Sequence, residues 1–174
     1  VAGGTHHALA DPALMQSCTN RPGIGPAAVD EAYRATLATL DIDGPVYRRL
    51  GGRTEEPPVS DPEAPFRLGR AMQLRLGDDV AVIACGALVD MAVRASDVLR
   101  GEGIGARVLN MHTIKPFDRD AVLKAAAETR AIVTAEEHHL AGGLGGLVAE
   151  LLAVEHPTPM GMVGMPDAFA VGGP

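Results

Sequence analysis

From Asp79 to Met165, short apolar runs alternate with amphipathic stretches, and this alternation constrains the fold more than any other feature. DVAVIACG, residues 79–86, is an apolar run opened by acids and closed by glycine, which predicts a buried strand. In the stretch that follows, Leu88, Ala92, Ala95 and Leu99 recur at helical spacing, while Asp90, Arg94 and Asp97 mark a wet face. ARVLNM at 106–111 reads as a second strand. Pro116 stops its continuation, and Asp118 can cap a helix that runs to Thr129. AIVTA at 131–135 is a third strand, and Leu144, Leu147, Val148, Leu151 and Leu152 give a further amphipathic helix. MGMVGM at 160–165 is a last short strand. Strands alternating with helices of this length need right-handed crossovers. They predict an α/β fold with a three-layer, doubly wound, mainly parallel sheet over 79–174.

The first third is less regular. Pro26 can open a helix whose expected inner face is Val29, Tyr33, Thr36 or Leu37, and Leu40. PVYRRL at 45–50 reads as a strand after a Gly44-Pro45 turn. EEPPVSDPEAPF at 55–66 carries four prolines and four acids, so residues 55–78 are expected to link two units. Some fifty residues are too few for a robust α/β domain. Residues 1–54 therefore read as the C-terminal remnant of an incomplete α/β domain that began elsewhere.

Composition excludes several function classes. The formal net charge of −7 argues against nucleic acid as a partner and against anionic membrane surfaces. No run is long and apolar enough for a membrane span, and VAGGTHHALADP lacks the basic and apolar regions of a signal peptide. Cys18 and Cys85 lie far apart, which argues against a disulfide framework or a cysteine zinc site and for a cytoplasmic protein. Aromatics are only 3% of the chain, so aliphatic side chains must build the core.

Candidate chemistry falls at four places. EEHHLAGGLGG, residues 136–146, offers carboxylates, imidazoles and a glycine turn ahead of a helix. Adjacent His138 and His139 point to opposite faces of an extended chain, and no partner motif supports a metal site. The glycine spacing fits neither dinucleotide nor P-loop fingerprints, and Glu136 and Glu137 would repel phosphate. A close-packed helix start is the simpler reading. Cys85 stands at a strand end but in no nucleophile elbow, and reads as a small buried thiol. His112 reads as a polar strand end. His6 and His7 in GGTHHA could hydrogen-bond a substrate oxygen or move protons near neutral pH. Arg48, Arg49 and Arg53 in YRRLGGR could hold a phosphate or carboxylate, or simply solvate the surface beside an acidic linker.

Taken in order, GGTHHALADPALM, PAAVDEAY, GPVYRRL, DVAVIACGALV, GIGARVLNMHTIKPFD, IVTAEEHHLAGGLGGLVAELL and DAF resemble the C-terminal part of the transketolase family. The resemblance to the family's C-terminal domain runs from about Gly77 nearly to the chain end, and residues 1–54 resemble the end of its pyrimidine-binding domain. It implies a thiamine-diphosphate enzyme moving two-carbon ketol units between sugar phosphates, with homo- or hetero-oligomers and, in some members, two halves on separate chains. On this resemblance His6 matches the histidine that contacts cofactor and substrate, and Arg53 is the candidate phosphate contact. No metal ligand is implied in this chain, because the GDG…NN segment that holds magnesium and diphosphate is absent. The resemblance also implies an N-terminal transketolase half as partner. Ala2, Gln16 and Ala28 stand where the family has an acid, an arginine and an aspartate. Related readings are a deoxyxylulose-phosphate synthase, the β-subunit of a 2-oxoacid dehydrogenase, or a non-catalytic paralogue serving as an interaction module.

Overall fold

The computed structural model describes residues 7–51 and 57–169. The larger sheet has five strands in the order β3-β5-β4-β7-β8: β3 Met72–Arg75, β5 Ala106–Asn110, β4 Val80–Ala84, β7 Ile132–His139 and β8 Met160–Met165. β4, β5, β7 and β8 pair in parallel, and β3 closes one edge in the antiparallel sense. This is the expected doubly wound, mainly parallel α/β architecture. The edge strand β3 lies within the stretch expected to be a linker.

Side-chain alternation along the strands sorts the core into two layers. Ala81, Ile83, Leu109 and Ile132 join Val122, Ala125, Leu144, Val148 and Leu151 under α4 (Arg119–Glu128) and α5 (Leu144–Glu155). Val82, Ala84, Val108 and Ala135 meet Val89 and Ala92 of α3 (Leu88–Gly101) on the other face. α3 buries Val89, Ala92 and Ser96, while Ala95 is exposed. Its inner face is thus turned from the expected one, because Ser96 satisfies its hydroxyl locally on the Val93 carbonyl, 2.7 Å away. α4 starts as expected. Asp118 accepts from the Ala121 amide at 3.1 Å, and its second oxygen accepts from the Ala71 amide at 2.9 Å, tying the chain before β3 to the helix.

The N-terminal segment adds α1 (Asp11–Ser17), β1 (Gly23–Ile24), α2 (Val29–Ala38) and β2 (Tyr47–Arg48). β1 pairs in parallel with β2 and antiparallel with β6 (Thr113–Lys115), giving a small second sheet in the order β2-β1-β6. β6 is contributed by the C-terminal part, so the two parts share a sheet.

The orientation of α2 corrects the sequence expectation. Glu31 and Ala35 are buried, whereas Val29, Tyr33, Leu37 and Leu40 face outward. The inward side is fixed by polar contacts: Glu31 accepts from the Ala27 amide at 2.6 Å and from Asn110 Nδ2 at 2.8 Å.

Candidate functional site

EEHH is not a loop. β7 continues through His139, and strand alternation turns Glu136 and His138 inward and leaves Glu137 exposed. The Glu136 carboxylate accepts from the backbone amides of Leu144 at 2.7 Å and Gly145 at 2.8 Å, the first turn of α5. A helix N-terminus is an anion site, and here the protein fills it with its own carboxylate. The glycines follow from that contact. A Cβ on Gly143 would run into the Glu136 carboxylate, and one on Gly145 would sit 3.0 Å from Thr134 Oγ1 and 3.1 Å from Met162 Sδ.

His138 is used in a similar way. Its Nδ1 donates to the His139 carbonyl at 2.6 Å, so its Nε2 is the acceptor for the Ala13 amide at 3.4 Å. The neighbouring backbone repeats the attachment. The His139 amide donates to the Leu9 carbonyl at 2.8 Å, and Gln16 Nε2 donates to the Gly142 carbonyl at 3.2 Å. The glycine-rich signature of the C-terminal part therefore grips α1 and the residues just ahead of it.

Arg49, one residue past β2, completes the grip. It donates to the Ala8 carbonyl at 2.9 Å, to Asp11 at 3.2 Å and to Glu137 at 3.2 Å. Burial works against the guanidinium charge, but Asp11 and Glu137 outweigh it and raise its pKa. Tyr47 donates its hydroxyl to Asp11. Burial and that acidic partner push the phenol up to about 12. Tyr47, Arg49 and Glu137 line a recess between α1, β1 and the C-terminal ends of β4 and β7, together with Cys85, Lys115 and Glu136. Burial, and then the Glu136 charge, push the Cys85 thiol up to about 12, which favours the protonated thiol over the thiolate. Lys115 Nζ donates to the Gln16 and Cys18 carbonyls, both at 2.7 Å, holding the end of α1.

His6 and Arg53, the two residues singled out from the sequence, lie outside the described residues. The structure does bring together described residues that are near them in sequence. Ala8 and Asp11 follow His6, and Arg49 precedes Arg53 by four positions. Sequence reasoning missed Asp11 and Tyr47, and the pairing of Glu137 with Arg49, because partners 36 to 88 residues apart leave no local signal. His112 is buried, stacks on Phe66 with ring centroids 4.2 Å apart, and pairs its Nδ1 with Thr113 Oγ1 at 2.9 Å. Burial pushes its pKa down to about 4, with Arg34 adding to the effect.

The described residues do not fit the diphosphate end of a thiamine cofactor. The amides at the start of α5 are occupied by Glu136, and among the described residues no three His, Cys, Asp or Glu side chains are grouped to hold a metal ion. Among them, also, no helix is long and apolar enough to cross a membrane.

The family model described as "Transketolase, C-terminal domain" matches residues 69–174. The chain is 42% identical over 167 residues to the 6-deoxy-6-sulfo-D-fructose transketolase subunit SqwH of Clostridium sp. strain MSTE9, covering 96% of this chain and 52% of the relative. It is 39% identical over 171 residues to an apulose-4-phosphate transketolase subunit of Phocaeicola vulgatus, covering 98% of this chain and 54% of that one. A solved structure described as a split gene transketolase in an inactive β4 tetramer superposes with a TM-score of 0.90 at 41% identity, over 94% of this chain and 55% of the other. The chain thus spans about half the length of these three relatives. The domain match over most of the chain, and identities near 40% across nearly all of it, place this protein in the transketolase family, in its C-terminal part.

Proposed function

We propose that this chain is the C-terminal share of a transketolase-type, thiamine-diphosphate-dependent enzyme that transfers two-carbon ketol units between sugar phosphates. The observation that carries the reading is identity near 40%, over nearly the whole chain, to two proteins whose names call them transketolase subunits. A separate polypeptide, the N-terminal transketolase half, brings the diphosphate and magnesium site in a homo- or hetero-oligomer. The two free cysteines fit a cytoplasmic setting. Residues 1–54 are the end of the pyrimidine-binding domain, 55–78 the connection and 79–174 the C-terminal domain.

Within that assembly His6 touches the cofactor and substrate, and Arg53 holds the substrate phosphate. The network described above supports a shared task. Arg49, paired with Glu137, together with His138 and Lys115 holds α1 and Ala8, which follow His6 in the sequence. The test is a complex reconstituted with a partner carrying the GDG…NN segment and the rest of the pyrimidine-binding domain, and assayed for ketol transfer. His6→Ala should lower kcat/KM by about 100-fold, the scale of a lost proton-transfer group. Arg53→Ala should raise the acceptor KM by about 10-fold or more with a smaller effect on kcat, as loss of a charge-assisted phosphate contact does. Unchanged constants in the His6 variant would remove it from the site.

A further inference from the structure

A groove of about 610 Å³ lies between β3 and residues 59–65. Its size is in the ordinary range for a small-molecule site. Both walls are held in place. On one side Arg34 of α2 donates to Ser60 and to the Ala64 carbonyl. On the other the Ala71 amide donates to Asp118, and β3 is paired with β5. Val59 and Leu74 line the groove and pack on the core of the larger sheet, which gives the groove an apolar floor.

The charges around the groove run against those of the chain. The protein carries a formal −7, yet among the described residues the groove is lined by three arginines, Arg67, Arg70 and Arg75, and one acid, Asp61. A turn sets two of the arginines side by side. The Arg70 amide donates to the Arg67 carbonyl at 3.1 Å, and Gly69 in the third place has φ +74°, the left-handed value that a type II turn needs there. The first and last Cα atoms of a β-turn lie within about 7 Å, so two guanidinium side chains leave the backbone close together. Like charges held this near repel, and an oxyanion between them relieves the repulsion. The acids nearby do this only in part. Asp118 and Asp120 stand 3.5 and 3.4 Å from Arg70, whose side chain is 62% exposed, and Asp97 is 3.2 Å from Arg75.

His112 supplies a second, independent signal. It is 1% exposed, yet it lines the groove. Phe66 stacks on its ring, Nδ1 is paired with Thr113 Oγ1, and Nε2 has no hydrogen-bond partner among the described residues. A buried ring nitrogen left open on a cavity wall is costly unless a ligand or a water meets it. Burial keeps the ring neutral near pH 7, so Nε2 offers a plain hydrogen bond and no charge. We infer that this groove binds a small organic anion, its phosphate or carboxylate held by Arg67 and Arg70, its apolar body on Val59 and Leu74, and a polar atom at His112 Nε2. Arg75 adds to the positive field. None of these residues has a part in the function proposed above, so the site stands or falls apart from it.

The experiment titrates the full chain with phenyl phosphate, benzoate and inorganic phosphate at constant ionic strength. Binding is read by calorimetry and by NMR of the His112 ring, whose signals are identified by their absence in His112→Gln. Phenyl phosphate or benzoate should bind saturably and shift those signals, and the tighter of the two identifies the oxyanion. Inorganic phosphate should bind about tenfold more weakly, because it brings no apolar surface to bury. Arg67→Gln and Arg70→Gln, both at exposed turn positions, should each weaken binding about tenfold, the loss of one charge-assisted contact. Arg94→Gln removes the same charge from an exposed position on α3 and should leave binding unchanged. Absence of saturable binding by either organic probe would overturn the inference. Inorganic phosphate binding as tightly as the organic probes would also overturn it, as would equal weakening by Arg94→Gln, which would make net charge the cause. Saturable binding that leaves the His112 signals unmoved and is indifferent to Arg67→Gln would place the ligand elsewhere and overturn it too.

Discussion

A carboxylate at the start of a helix can satisfy two amides at once and carries a charge that the helix dipole favours. Glu136 does this for α5 from the neighbouring strand, and it is 4% exposed. Glu136→Gln keeps the shape but gives up the charge and leaves an amide donor facing amide donors. It should cost about 1–3 kcal/mol, the usual size for a buried charge-assisted bond, read as a lower urea midpoint at constant m-value. Gly143→Ala should cost a similar amount through the same contact, because the added methyl displaces the carboxylate.

His112 gives a prediction in pH. Its folded pKa, about 4, lies below the ordinary value of 6.5, so between these values the unfolded chain binds the extra proton and the folded chain does not. Stability is then lost as pH falls from 6.5 towards 4, and the loss flattens below that. Glu31 acts oppositely. Burial raises its pKa, so its contribution declines as pH rises above 4.5 through its folded value. The comparison that isolates His112 is His112→Gln against wild type. The stability gap between pH 7 and pH 4.5, from urea unfolding, should shrink by about 2 kcal/mol or more in the variant, given about 1.4 kcal/mol per pKa unit. An unchanged gap would mean that His112 is already protonated or not buried.

The strands and helices of the C-terminal part were legible because each carries a clean period. β4 is a continuous apolar run, α4 has an acid cap, and α5 has leucines three and four apart. Besides β3, which fell in the expected linker, and the inner face of α3, two further features were not legible. EEHH continues β7 because Glu136 and His138 find buried partners on α5 and α1, and nothing local announces that. The outward face of α2 was mis-assigned because apolar periodicity names a buried side without saying which polypeptide buries it. Arg49 belongs to the same scale, since it links β2 to α1 and β7. Arg49→Met should speed hydrogen exchange in residues 7–17 by about tenfold or more while β4 and β5 keep their protection, a local and not a global opening. Uniform exchange changes across the sheet would contradict that assignment.

At the scale of the molecule, a five-stranded, mainly parallel sheet in the C-terminal part is joined to the N-terminal segment through a small sheet that β6 shares with β1 and β2. The larger sheet has its own two-layer core, whereas the smaller sheet is short, and among the described residues β2 pairs only with β1. The family signature in EEHHLAGGLGG turns out to be structural at both ends, holding a helix start on one side and α1 on the other. Sequence could not reveal this, because the contacts with α1 span more than a hundred residues. The order of motifs pointed to the family and to His6 and Arg53, but ketol transfer needs a complete cofactor site. The described residues supply no diphosphate or metal cradle, so on the proposed reading activity is a property of the assembly.

The most direct measurement is ketol transfer from a ketose phosphate to an aldose phosphate by this chain, by a partner that carries the GDG…NN segment and the rest of the pyrimidine-binding domain, and by the two together, each with and without thiamine diphosphate and magnesium. Turnover is expected only when both polypeptides and the cofactor are present. A stable complex that gives no turnover with any ketose phosphate, or turnover by the partner that this chain does not alter, would contradict the proposed function.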